Sequence, residues 1–133
     1  EREDAKAAVE FLSSQPSIDP SRLGMAGYSF GASVTLFVGT QDSRVKAFCS
    51  ISGPIPGIEG SLLAESTKPK LFLTGDLDHF IPMEKFQAAV DRLPSPTEDS
   101  VFHGVDHFWR GAELEMAQAV GDFFARNLSS PGG

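Results

Sequence analysis

One serine in this chain stands where a nucleophile would be expected. Ser29 is the centre of a G-Y-S-F-G sequence at 27–31, between an apolar run that predicts a strand and a small-residue run that predicts a helix. On such a turn the serine is strained and its hydroxyl exposed, and small neighbours (Gly27, Gly31 and Ala32) let strand and helix nearly touch. The pattern predicts that Ser29 is a nucleophile for acyl transfer. The competing interpretation is a chance occurrence of G-x-S-x-G in a chain rich in glycine and serine.

The helix that would begin directly after Ser29 also has a chemical use. Its first N–H groups and its positive dipole end point to the place where a negatively charged oxygen would form during attack on a carbonyl group. We expect the N–H of Phe30 to be the best-placed donor of this oxyanion hole.

A serine hydroxyl needs a base, and the base needs an acid to orient it. Two later predicted strands have suitable side chains at their carboxyl ends, namely Asp76 and Asp78 at one, and His103, Asp106 and His107 at the other. All lie at carboxyl ends of predicted parallel strands, where such sheets build their sites. Taken singly, each has an ordinary interpretation as a turn or helix-entry residue. Spacing alone leaves open which aspartate and which histidine would act.

The elements that must position these groups alternate along the chain. Apolar periodicity predicts helices at 1–14, 32–40 and 82–93 and around 116–124, and strands at 22–28, 45–52, 70–75 and 101–105. We expect strand 22–28 to be buried on both faces, 53–69 to be a Gly/Pro-rich connection with one short helical turn, 94–100 to be a loop, and the last helix to fray into 129–133. The alternation predicts an α/β domain, a parallel sheet with helices on both faces.

Composition limits the function. The 133 residues, 41% of them apolar, suffice for one domain with a packed core, and the net charge of −7 argues against nucleic acid or an anionic membrane as partner. Cys49 cannot form an internal disulfide and is expected in the core, and nothing predicts a metal cluster. No run approaches the roughly 20 apolar residues of a membrane span, and no signal peptide opens the chain. A cytoplasmic location is the expectation, although the chain starts without methionine and a targeting segment could precede Glu1.

Three stretches resemble the C-terminal half of α/β-hydrolases, in the small, nearly lidless branch around dienelactone hydrolases and short-chain esterases. They are DPSRLGMAGYSFGAS (19–33), GDLDHFIP (75–82) and GVDHFWRG (104–111). The resemblance implies the α/β-hydrolase fold, with the last four strands of its sheet present. We expect residues 1–133 to be the C-terminal part of one such domain, with the second oxyanion donor in the part that precedes it. The edge of strand 22–28 would then be open to self-association.

The resemblance also implies roles for individual residues. The nucleophile falls on Ser29, the acid on Asp78, at the end of a Gly-x-x-Asp turn, and the base on His107, after a Gly-x-Asp. His79, His103 and Asp106 are then left with structural or supporting roles. Dienelactone hydrolases proper use a cysteine nucleophile, so the serine favours ordinary esters.

These inferences predict a serine hydrolase that cleaves carboxylic esters or related small acyl substrates without a cofactor. The candidates to line the acyl pocket are Phe30, Phe80, Phe108 and Trp109. For each of them, packing in the core is the alternative interpretation. The short 53–69 connection leaves little material for a lid, which favours small, soluble substrates. The alternatives are a non-catalytic binding module of the same fold, or a thioesterase or peptidase that uses the same three residues.

Overall fold

The computed structural model describes residues 1–129, which form helices and parallel strands in alternation. The elements are α1 (Arg2–Ser14), β1 (Leu23–Tyr28), α2 (Phe30–Gln41), β2 (Val45–Ile51), α3 (Ile55–Ile58), α4 (Ser61–Ala64), β3 (Lys70–Gly75), α5 (Met83–Asp91), β4 (Thr97–Phe102) and α6 (Glu113–Asn127). None of these helices is long and apolar enough to cross a membrane.

The four strands form one sheet in the order β1-β2-β3-β4, and every pair is parallel. Tyr28 pairs with Ile51, Ile51 with Leu73, and Gly75 with Phe102, so the carboxyl ends of the strands lie at one edge. A helix follows β1, β2 and β3 before the next strand begins, as parallel pairing requires. The predicted α/β class is confirmed.

Alternate residues of the central strands face two separate cores. Phe48 and Phe72 pack with residues of α1 to α5 on one face, whereas Cys49 and Leu71 pack with Phe123 of α6 on the other. Helices therefore cover both faces of the sheet, as predicted. Cys49 is fully buried, and burial raises the pKa of its thiol to about 12, so it is an inert core residue.

The expectation that strand 22–28 is buried on both faces is wrong. Within the described residues β1 is an edge strand that pairs with β2 alone, and Gly24, Ala26 and Tyr28 are exposed. Its apolar composition is typical of a central strand, but within the described residues no strand other than β2 pairs with it. The predicted self-association through this edge stays a prediction.

The last strand begins earlier than predicted. β4 includes Thr97 to Phe102, most of which was expected to be loop, and residues 103–105 lie in the turn that follows. Its first four residues are polar, and all six are exposed or half-buried, because β4 is the other edge of the described sheet. Pairing with β3 rather than an apolar pattern defines this strand. The predicted fraying of the last helix lies, from residue 130 onward, outside the described residues.

Candidate functional site

The turn between β1 and α2 has the strain that its sequence predicts. Ser29 is the only residue between the two elements, and its φ of 56° and ψ of −118° lie in a region that non-glycine residues rarely adopt. Its N–H donates to the carbonyl of Ile51 at 2.8 Å, which extends the ladder between β1 and β2 by one residue. A Cβ at Gly27 would collide with the Gly31 carbonyl and Thr35 Oγ1, so strand and helix touch there.

The requirement for a small residue at Gly31 is wrong for the part of the chain that the structure describes. A Cβ there would meet nothing within 4 Å. The close approach lies at the next residue, because Ala32 is fully buried and a Cβ at Gly53 would come within 2.9 Å of it.

Ser29, His107 and Asp78 form one continuous chain of hydrogen bonds. Ser29 Oγ is 2.9 Å from His107 Nε2, and His107 Nδ1 is 2.7 Å from Asp78 Oδ2. The histidine side chain is 12% exposed and the aspartate side chain 0%. The structure therefore brings together the three residues that the resemblance assigns, with the acid withdrawn from water.

Backbone contacts hold each member of this chain in place. Asp78 lies in the turn after β3, where its N–H donates to the Gly75 carbonyl and its Oδ1 accepts the N–H of Phe80 at 2.9 Å. The carbonyl of His107 accepts a 2.7 Å bond from the hydroxyl of Tyr28. The ring of Phe80 lies 4.8 Å from the imidazole. The side chains of Tyr28, at the end of β1, and of Phe80, in the turn after β3, thus fix the position of His107.

Burial together with the carboxylates of Asp78 and Asp106 raises the pKa of Tyr28. A phenol is protonated at neutral pH even at its ordinary pKa of about 10, and the raised pKa extends this to higher pH, so Tyr28 can donate to the His107 carbonyl.

Asp76 and His103, the alternatives left open by spacing, pair with each other. His103 Nδ1 is 2.8 Å from Asp76 Oδ2, and Asp76 Oδ1 accepts the N–H of Gly104 at 2.7 Å. The His103 side chain is 99% exposed. The N–H of Gly104 and the imidazole of His103 lower the pKa of Asp76. This second pair fastens the turn after β4 to the end of β3, and neither member lines the cavity beside Ser29.

The remaining candidates near the site have backbone roles or none that the structure records. Asp106 Oδ1 accepts the N–H of Phe108 at 3.0 Å and so shapes the turn that carries His107. Phe30 follows Ser29 and is the first residue of α2. Because the first N–H groups of a helix have no carbonyl partner within the helix, the Phe30 N–H is free of an intrahelical hydrogen bond. Its ring is 63% exposed.

A cavity of about 460 Å³ opens beside the serine hydroxyl. Its lining consists of Ser29, Ser52, Pro54, Phe80, Ile81, His107 and Phe108. Of the aromatic residues proposed for the acyl pocket, Phe80 and Phe108 lie here, whereas Phe30 and Trp109 do not. Trp109 is 1% exposed and donates its indole N–H to Ser52 Oγ at 2.9 Å, so it is a core residue.

Tyr28 and Ser52 are the site residues that sequence reasoning missed. Ser52 follows β2 at its carboxyl end, as Ser29 follows β1, and its φ is 50°. The rule that polar residues after parallel strands build the site would have selected it. Tyr28 carries no such signal, because its contact with His107 joins residues 79 positions apart.

A sequence model of the dienelactone hydrolase family matches residues 2–123. The chain belongs to this family. The resemblance found from the three stretches is confirmed.

Solved structures agree with the family assignment. The chain is 32% identical to an alpha-beta serine hydrolase homologue from Coxiella burnetii, over 96% of this chain and 58% of that one, with a TM-score of 0.76. A dienelactone hydrolase from Anabaena variabilis shares the fold at 21% identity, over 96% of this chain and 59% of that one, with a TM-score of 0.82. The expected α/β-hydrolase fold is confirmed.

A shorter match is to a thiohydrolase of Arthrinium phaeospermum, 36% identical over 55 residues. That match includes 41% of this chain and 18% of the thiohydrolase. The matched stretch thus spans less than a fifth of this relative's length, and the chain covers under two thirds of the Coxiella and Anabaena structures.

Proposed function

We propose that this protein is a serine hydrolase that cleaves carboxylic esters or related small acyl substrates through Ser29, His107 and Asp78. The observation that carries the proposal is the continuous hydrogen-bonded chain from Ser29 Oγ through the imidazole to Asp78. Membership of the dienelactone hydrolase family supports the same reaction class.

The first step is attack on the substrate. With its proton on Nδ1 and donated to Asp78, His107 has a free Nε2 lone pair that takes the proton of Ser29 Oγ as this oxygen bonds to the carbonyl carbon. The negative charge moves to the carbonyl oxygen, where the N–H of Phe30 would donate to it. Asp78 stabilises the imidazolium and fixes its tautomer.

The second step releases the alcohol, and the third the acid. The tetrahedral intermediate collapses, the bond to the alcohol oxygen breaks, and that oxygen takes the proton from His107 Nε2. Water then attacks the acyl-enzyme, giving one proton to His107, which returns it to Ser29 Oγ as the carboxylic acid leaves. Protons and charges balance over the cycle, and the three side chains supply every transfer.

The open cavity suits small substrates. Phe80 is 70% exposed and Phe108 is 56% exposed, so apolar surface at the mouth could hold an acyl or alcohol group by contact alone. Only the short helices α3 and α4 lie in the connection between β2 and β3, which leaves little chain for a lid.

A thioesterase is the second candidate, because the match to the Arthrinium thiohydrolase favours it. The same three steps apply with sulfur as the leaving atom. Paired oxygen esters and thioesters of one acyl group separate the two, since a thioesterase should show the higher kcat/KM on the thioester.

The experiment that tests the proposal is active-site labelling. A fluorophosphonate should label Ser29, and Ser29→Ala should abolish both the adduct and the turnover of short p-nitrophenyl esters. Ser52→Ala is the matched control, because Ser52 lines the same cavity but its oxygen accepts the Trp109 N–H and has no base beside it. Unlabelled but folded protein would favour the alternative of a non-catalytic binding module.

A further inference from the structure

A second cavity, of about 470 Å³, adjoins the one beside Ser29. The two cavities share Pro54 and Phe80 in their linings. Because Phe80 also lies against the His107 ring, the second cavity begins next to the hydrogen-bonded chain and extends away from it. A substrate longer than a few atoms could pass Phe80 and occupy both.

The lining of this second cavity includes two cations on one helix. The cavity is lined by Lys85, Ala88 and Arg92, from α5 and its C-terminal cap. Because these residues are three and four positions apart, they lie on the same side of the helix. The rest of the lining is mostly apolar and includes Pro54 and Ile55, at the start of α3.

Lys85 and Arg92 differ from the other cations of this chain. Within residues 1–129, every other lysine and arginine has an acidic, carbonyl or aromatic partner. Within that part of the chain, the charged groups of Lys85 and Arg92 have no hydrogen-bond, ion-pair or aromatic partner, although both backbones belong to α5 or its cap. In a protein of net charge −7, two exposed cations thus line one cavity without an acidic partner among the described residues.

The geometry points to a subsite for an anionic group, a carboxylate or a phosphate, at the end of the substrate remote from the bond that is cleaved. This inference rests on the proposed function, because the apolar passage past Phe80 would hold the chain that joins the anion to the ester. Glu59 lines the same cavity and opposes the two cations, so the lining keeps a net charge of one positive unit. The preferred substrates are therefore esters with one negative charge beyond a short apolar spacer.

Matched ester pairs test the subsite. On the acyl side, p-nitrophenyl monoesters of dicarboxylic acids from succinate to suberate are compared with p-nitrophenyl esters of monocarboxylic acids of equal length. On the alcohol side, 4-acetoxybenzoate is compared with its methyl ester. The side that shows the preference identifies whether the anion belongs to the acyl or the alcohol part.

The double variant Lys85→Gln/Arg92→Gln should lower kcat/KM for the preferred anionic ester by about 5- to 10-fold, as two exposed ion pairs would, and change the neutral ester less than about twofold. Lys46→Gln is the control for lost charge, because Lys46 is exposed in β2 and remote from the cavity. Glu59→Gln should raise kcat/KM for the anionic ester. Salt at about 0.5 M should erase these differences by screening.

Equal losses on both members of every pair, or the same loss in Lys46→Gln, would overturn the subsite. Failure of the proposed function looks different, since the wild type would then cleave none of the esters. In that case adipate, compared with hexanoate, should still raise the melting temperature of the wild type but not of the double variant, because binding to the folded state alone stabilises it. No difference between adipate and hexanoate would count against the subsite itself.

Discussion

Two His–Asp pairs lie at the same end of the sheet, and both span from the turn after β3 to the turn after β4. The bond of His107 to Asp78 is 2.7 Å long and that of His103 to Asp76 is 2.8 Å. The two pairs differ in burial, since His107 is 12% exposed and His103 99%. They also differ in the third partner, because only His107 has a serine hydroxyl at its other nitrogen.

The difference teaches that a His–Asp distance does not define a site. A buried pair interacts in a medium of low dielectric constant, where the carboxylate strongly stabilises an imidazolium, whereas water screens the exposed pair. The second carboxylate oxygen of Asp78 accepts the N–H of Phe80 in its own turn. The second oxygen of Asp76 accepts the N–H of Gly104 in the turn after β4. In the proposed function the first pair moves a proton, whereas the second pair joins the turns after β3 and β4.

The largest expected effect comes from removing each histidine in turn. His107→Ala should lower kcat by roughly 10⁵- to 10⁶-fold, because a serine without its base is a poor nucleophile. His103→Ala should change kcat less than about twofold, since its imidazole reaches no reacting group. Steady-state kinetics on one p-nitrophenyl ester measure both, and comparable losses in the two variants would refute the division of roles.

The aspartates should separate the pairs by a smaller factor. Asp78→Asn keeps the shape but cannot accept the Nδ1 proton, which favours the wrong tautomer and should lower kcat by about 10⁴-fold. Asp76→Asn should leave kcat within about threefold of the wild type. The pH profile of kcat/KM adds a test, because only Asp78→Asn should alter the titration that controls the rate. A strong loss in Asp76→Asn alone would transfer the role to the second pair.

Much of this arrangement could be predicted from local sequence. The strand-turn-helix around Ser29 has its own signature of glycines, and the order of the later polar residues follows from the rule for parallel strands. The choice of Asp78 over Asp76, and of His107 over His103, came from the family resemblance alone. Spacing could not supply it, because both aspartates and both histidines occur in the same short turns.

The remaining details depend on contacts between distant residues. The sequence makes Trp109 a candidate for the pocket, yet its side chain is buried in the core, on a backbone with a left-handed φ of 58°. The polar β4 was expected to be loop because its strand conformation comes from pairing with β3. Such outcomes depend on tertiary packing, which local patterns do not encode.

Tyr28→Phe should sharpen the comparison by removing a support that only the buried pair has. The variant loses the hydrogen bond to the His107 carbonyl and keeps the ring beside the imidazole. We expect kcat to fall about 2- to 10-fold, the value of one hydrogen bond, with KM nearly unchanged. Separate kcat and KM values check this, and a change in KM alone would assign Tyr28 to substrate binding.

The smallest expected effect belongs to the exposed pair and appears in stability at acid pH. The pKa of Asp76 is lowered in the folded protein, chiefly by the Gly104 N–H and then by His103. A carboxyl group with a lowered pKa stabilises the fold above its unfolded pKa of about 3.9, and this contribution is lost as the pH falls through the folded pKa. The wild type should therefore melt slightly above Asp76→Asn at neutral pH, and the gap should close below about pH 4. Melting curves from neutral pH to about pH 3 test this, with Asp122→Asn on α6 as the control for one lost negative charge. A gap that is constant with pH, or equal in the control, would show that the Asp76 carboxylate contributes only its charge and not its two bonds to the turn after β4.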